Sequence, residues 1–295
     1  LAGPPYSGYP AFCAPDAYAE YMAGCGIDIF LTANNHILDK GETGLVRTLE
    51  KYREMERRLG IRMTGSAENP DSAASNMPLI VRSKDFTIAF INCTYGTNLS
   101  TGKKFPGTYM MSDRETISAA FGRAEQAGAD LIVALPHWGI EYDLHHSAEQ
   151  EEYAVWLAGQ GADIIIGAHP HVVQDADTLT VMSGNKERKI PVIYSLGNAI
   201  SNMSAPNTQV GLMLTVKAVE RPCGVRILPP EYEFLWCSLP GRLSQSHTTV
   251  KIAGHIGKKE EWTREYEYGK MLSTYREVLK QTGLKPENNK NRHRR

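Results

Sequence analysis

The chain has 295 residues, 42% of them hydrophobic and 22% charged, with a formal net charge of −1. That length is enough for one large α/β domain or two smaller ones with a sizeable core. A charge so near zero provides no global field for nucleic acid or an anionic membrane, and no nucleic-acid partner is expected. The five cysteines, Cys13, Cys25, Cys93, Cys223 and Cys237, contain no Cys-x-x-Cys pair and are odd in number, which argues against a disulfide scaffold. No apolar run is long enough to span a bilayer, and no signal peptide is legible. The first residue is Leu1, in Leu-Ala-Gly-Pro-Pro, rather than Met, so a preceding piece carrying any targeting signal is expected.

Residues 1–16 are rich in Pro, Gly and Tyr and read as loop, with Asp16 as cap of a short helix over Ala17–Gly24. Asp28–Ala33 has the length and β-branched or aromatic content of a buried strand. Leu45, Leu49, Tyr52, Met55 and Leu59 share one face of a helix over about Thr43–Leu59. The stretches PLIVRS and FTIAFIN (Phe86–Asn92) read as strands. Asp113 caps a helix bearing Ile117, Phe121 and Ala124, and Asp130–Pro136 is the next strand. Ser147 with Gln150 forms a capping-box pattern before a helix to Gln160. Asp163–Ala168, TLTVM, Pro191–Leu196 and Val210–Val219 complete the strands. A terminal helix over Glu260–Gln281, interrupted by Gly269, carries Trp262, Tyr266, Met271, Tyr275 and Leu279. Strands alternating with helices predict an α/β chain with a largely parallel sheet, followed by an antiparallel part after Pro191. Lys285–Arg295 is polar, basic and free of apolar residues, and reads as a disordered tail.

Polar residues collect where strands end. Asn34, Asn35 and His36 follow the first strand, and His137 follows Leu135. His169 and His171 follow Gly167, and Ser195 and Asn198 follow Tyr194. Ligands of open α/β sheets bind beyond the carboxyl ends of strands, so four strands are expected to deliver these groups to one rim. Imidazole with amide oxygen suits a borderline divalent ion such as Zn²⁺, Mn²⁺ or Fe²⁺. Pro170 restricts the backbone between His169 and His171, so both rings can be aimed at one region. Asn35 can offer its carbonyl oxygen to a metal, leaving His36 as a general acid or phosphoryl contact. Tyr95 and Asn98 also follow a strand end, where they line a substrate cleft or form a turn. Taken singly, each histidine reads better as a hydrogen-bonded structural residue; Asn34 can simply satisfy a turn, and Asp39 can orient His36 or organise the turn before the helix. Coincidence at equivalent strand ends favours function for the set. His145 and His146 read as a solvated loop.

The stretches ANNHILDKGETGL, LPHWGIEY, GAHPHVVQ and IPVIYSLGN, in that order, resemble the motif series of the CapA-like poly-γ-glutamate capsule-synthesis family within the calcineurin-like metallophosphoesterase superfamily. The resemblance runs from about Leu1 to Asn202 and fades past Val219. It implies a four-layer α/β/β/α sandwich over residues 1–255 that lacks its first strands, then a terminal helix over 256–284 and the tail over 285–295. It implies a site holding two divalent ions (Mn, Zn or Fe) in the whole protein, with Asn35, His137, His169 and His171 as ligands and His36 as the catalytic, phosphate-facing histidine. Asn34, Tyr95, Asn98 and Asn198 are expected to bind substrate. Ala168 stands where the family signature has glycine. The superfamily's aspartate of the first strand and second acid would precede Leu1, so this chain is expected to bind metal poorly and to be inactive alone. The implied role is metal-assisted phosphoester hydrolysis in surface-polymer biosynthesis at the cell envelope, on an anionic polymer or phosphoester and beside other capsule-synthesis proteins. The rivals are a non-catalytic assembly or export factor with a degenerate metal site, and hydrolysis of a γ-glutamyl amide.

Overall fold

The computed structural model describes residues 1–83, 86–183, 186–221 and 224–286. The chain is mixed α/β and divides into two compact units. One comprises 1–137 with 160–162, the other 138–159 with the residues from 163 onward.

In the first unit a short strand, Ile29–Leu31, runs parallel to Arg62–Thr64. A three-strand set follows, in which Thr87–Thr94 pairs antiparallel with Leu79–Arg82 and parallel with Leu131–His137. The helix Gly41–Leu59 buries Leu45, Leu49 and Met55, as its spacing predicts, while Leu59 at its last turn is exposed. Leu45 and Leu49 pack with Leu38, and Met55 packs with Ala19 and Ile61. Asp113 caps Arg114–Gln126 by accepting the Thr116 N–H, and Ile117, Phe121 and Ala124 lie buried on that helix. Asp16 departs from its predicted role. It is the first helical residue of Asp16–Gly24, and its carboxylate grips the Arg47 guanidinium with both oxygens, at 2.6 and 2.5 Å. That two-pronged pair holds the Asp16 carboxyl below the usual carboxylate range. A helix the sequence reading passed over, Pro70–Asn76, starts with Asn69 and Ser72 capping each other.

In the second unit Lys186–Ile193 pairs parallel with Ile164–Ile166 and antiparallel with Ala176–Ser183. This antiparallel pairing breaks the expected parallel run. Two residues separate Ser183 from Lys186 in the sequence, enough for a hairpin and far too few for a parallel crossover. Val210–Thr215, Glu231–Ser238 and Thr248–Lys251 form the expected antiparallel part. Ser147 and Gln150 cap the helix Ala148–Gln160 reciprocally, as read. The last helix is Glu265–Thr282, shorter than predicted. Trp262 lies ahead of it, beyond a 3-10 turn over Lys259–Glu261. The tail from residue 287 lies outside the described residues. No helix among the described residues is long and apolar enough to cross a membrane.

Candidate functional site

In the first unit, Asn92 builds the corner that carries Asn34, Asn35 and His36. Its side chain is 2% exposed, accepts the Ala33 N–H through Oδ1 at 2.8 Å and donates Nδ2–H to the Leu135 carbonyl at 2.8 Å. One buried amide therefore ties the corner to the strand ending at His137. Gly65, at φ +115°, leaves it room, because a Cβ there would stand 2.1 Å from Asn92 Oδ1. Asn34 closes the turn locally. Its Oδ1 accepts the His36 N–H and its Nδ2 donates to the Thr32 carbonyl, so its amide is engaged with backbone.

The corner brings Asn35 and His36 to His137 and Asn98. Asn35 Oδ1 lies 3.1 Å from His137 Nε2. Two donors at right angles on one octahedral ion with bonds of about 2.1 Å stand roughly 3.0 Å apart. The same spacing serves a shared ion or, without one, a hydrogen bond from the ring N–H to the amide oxygen. His36 Nδ1 lies 2.8 Å from the Asp39 carboxylate, which also accepts the Phe12 N–H at 2.8 Å. Asp39 thus orients His36 and is 8% exposed itself. The Asn98 amide stands 3.2 Å from the same Nδ1. Nδ1 carries a single proton, and the nearer, charged carboxylate takes it; Asn98 sits beside the ring. Phe12 lies edge-on to the His36 ring at 4.6 Å, and Tyr95, half exposed, lies parallel to His137 at 6.5 Å. Asn34 and His36 are also among the residues lining a cavity of about 440 Å³ with mostly apolar walls.

In the second unit, Gly167 lets the chain pass where no Cβ fits. A Cβ would stand 2.1 Å from the Tyr194 carbonyl oxygen and 2.3 Å from Trp138 Nε1, two atoms that are hydrogen-bonded at 2.9 Å. His169 and His171 follow with φ of +109° and +62°. Tyr142, at φ +70°, lies stacked 6.3 Å from His171. Left-handed backbone at residues other than glycine is strained and clusters at functional positions. Asn198 fixes the state of His171. Its Nδ2 donates to the carbonyls of His171 and Thr208, so its Oδ1, 3.1 Å from His171 Nδ1, must be the acceptor. The ring then carries its proton on Nδ1 and presents the lone pair of Nε2, which is open to a metal. Ligand atoms of Glu141, His169 and His171 lie within 4.8 Å of one another. Two imidazoles and a carboxylate are a donor set for a divalent transition ion. His146, expected in solvent, instead stacks at 3.8 Å on buried Tyr194 and bonds Asp175 at 3.0 Å.

The sequence matches the family described as "Bacterial capsule synthesis protein PGA_cap" over residues 1–203. The chain belongs to that PGA_cap family. It is 30% identical over 204 residues to "Capsule biosynthesis protein CapA" of Bacillus anthracis, a match covering 66% of this chain and 45% of that protein. It is 28% identical over 180 residues to "PGA biosynthesis protein CapA" of Bacillus subtilis (strain 168), covering 60% and 43%. The chain therefore spans less than half the length of these relatives. Among solved structures it is similar to a 5'-nucleotidase precursor from Thermus thermophilus, with 14% identity, 90% of this chain and 45% of that one covered, and a TM-score of 0.46. All four quoted motifs lie within the region matched by PGA_cap. Asn35, His36, His137, His169, His171 and Asn198 are the residues singled out by their places after strand ends. Asp39 was open between orienting His36 and organising the turn, and its carboxylate bonds the His36 ring; Glu141 and Asn92 carried no expectation, although Glu141 stands four residues past His137 in the same motif.

Proposed function

We propose that this chain contributes metal-holding and proton-donating residues to metal-dependent phosphoester hydrolysis by a longer capsule-biosynthesis protein acting at the cell envelope, on a phosphoester or an anionic polymer. The observation that carries this reading is the paired geometry of Asn35 Oδ1 and His137 Nε2, 3.1 Å apart beside an imidazole already held by a carboxylate. Asn35 and His137 would hold metal in the first unit, and His169 and His171 in the second. Divalent ions bound at such donors supply Lewis-acid polarisation of a phosphoryl oxygen and a water acidic enough to react near neutral pH. Asp39 keeps the Nδ1 proton of His36 and stabilises the imidazolium, so His36 can deliver the Nε2 proton to the leaving oxygen. Asn98 and Tyr95 border the substrate next to these rings, while Asn34 and Asn198 act by holding His36 and His171.

His36→Ala separates this role from mere metal binding. With a poor alkoxide leaving group, turnover by the whole protein is expected to fall about 10²–10⁴-fold, the usual worth of a general acid. With a p-nitrophenyl ester, whose leaving group needs no proton, the loss should be under tenfold. Equal losses on both esters would remove the acid role. Bound metal without hydrolysis of any phosphoester would move the assignment to a non-catalytic polymer-assembly factor. Cleavage of poly-γ-glutamate alone would move the reaction to a γ-glutamyl amide.

A further inference from the structure

We propose that Glu141 completes a single-ion site within the second unit, in which one carboxylate and the imidazoles of His169 and His171 bind a divalent transition ion. This rests on the reading above only in taking the two histidines as donors. Three features of the chain support Glu141 as the third.

Its position is built by the backbone. The Trp138 N–H donates to the Ala168 carbonyl at 2.9 Å, and the Tyr142 N–H to the Pro170 carbonyl at 2.8 Å. These bonds bracket Glu141 on one segment and His169 on the other. Farther on, Gln174, fully buried, donates to the Asp143 and His145 carbonyls at 3.0 Å each. Gly139, at φ +93° and with Gln150 2.7 Å from where a Cβ would be, makes the bend that brings Glu141 round.

Its charge is available. Among the described residues, Glu141 forms no ion pair with lysine or arginine. Its spacing is near that of a bound set. Ligand atoms at about 2.0–2.1 Å from one ion stand roughly 3.3 Å apart in a tetrahedron, and these three lie within 4.8 Å before any ion draws them in. The exposed glutamate has the free torsions to close the difference, while Asn198 holds His171. Two neutral imidazoles and one carboxylate leave a divalent ion with a net charge of +1, enough to attract an anionic group, and leave a coordination position open for it.

The test is a Co²⁺ titration of the full chain followed by its visible absorption bands, with melting curves of each metal-free variant as a folding control. The wild type should bind Co²⁺ with a ligand-field band. Glu141→Gln keeps size and removes charge, so it should bind at least tenfold more weakly with an altered band, and Glu141→Asp should recover part of the loss. Glu149→Gln, at an exposed acid of the helix Ala148–Gln160, should leave this band and its affinity within about twofold. If Glu141→Gln binds as the wild type does while His169→Ala loses the ion, Glu141 is no ligand and the metal reading survives. If the wild type takes up no Co²⁺, or His169→Ala binds it unchanged, both fall.

Discussion

Asp39 and Asn92 each decide where other groups point. Asp39 shares one carboxylate between a ring nitrogen and the Phe12 main chain, fixing His36 against the N-terminal loop. Asn92 accepts the N–H of buried Ala33 and donates to the Leu135 carbonyl, and a buried donor is costly to leave unpaired. Tyr52 makes a testable case at the same scale. Burial pushes its phenol up to about 12, from an ordinary value near 10. The folded chain thus keeps a proton that the unfolded chain releases above about pH 10. Its contribution is fully present below that pH and is lost as pH rises towards 12. Chemical denaturation should show unfolding free energy falling by about 2 kcal/mol across this window, discounted because the ring lines a cavity. Tyr52→Phe should remove that part of the slope.

At the scale of elements, turns and caps govern. Gly167→Ala forces a methyl into the Trp138–Tyr194 hydrogen bond, and overpacking with the loss of a buried bond costs about 3 kcal/mol. Thermal melting should show that loss, and the segment bearing His169 should shift with it. Much of this level was legible in the sequence, because caps and helix faces are local. Asp113 with Thr116, and Ser147 with Gln150, act within one turn, and Leu45, Leu49 and Met55 follow one helical period. Strand ends located the imidazoles for the same reason. What stayed hidden depends on partners far away in the chain. Asp16 looks like a cap until Arg47, 31 residues on, is beside it. Nothing local tells that Asn92 serves Ala33 and Leu135, or that Glu141 comes back to His169 and His171.

At the scale of the whole molecule, family membership rests on residues 1–203, and the second unit continues beyond them. The helix Glu265–Thr282 belongs to that continuation and buries Met271, Tyr275 and Val278, with Tyr275 edge-on to Phe234 at 5.2 Å. Its Glu267, 2% exposed, accepts from Gln209 at 3.2 Å. A chain ending at Arg264 should lose about 5 kcal/mol from the second unit, at roughly 1.5–3 kcal/mol per large apolar side chain. That is a large share of the stability of any domain, and earlier proteolysis within residues 163–264 would register it.

The left-handed backbone at His169 sets an unusual ranking of substitutions. At φ +109° a side chain of any kind is opposed by the local backbone, whereas glycine is at ease there. His169→Gly should therefore melt higher than His169→Ala, by about 1 kcal/mol, reversing their usual order. An imidazole at this position is held there against the preference of its own main chain. Selection for folding alone would favour glycine there, so the ring serves a demand other than stability.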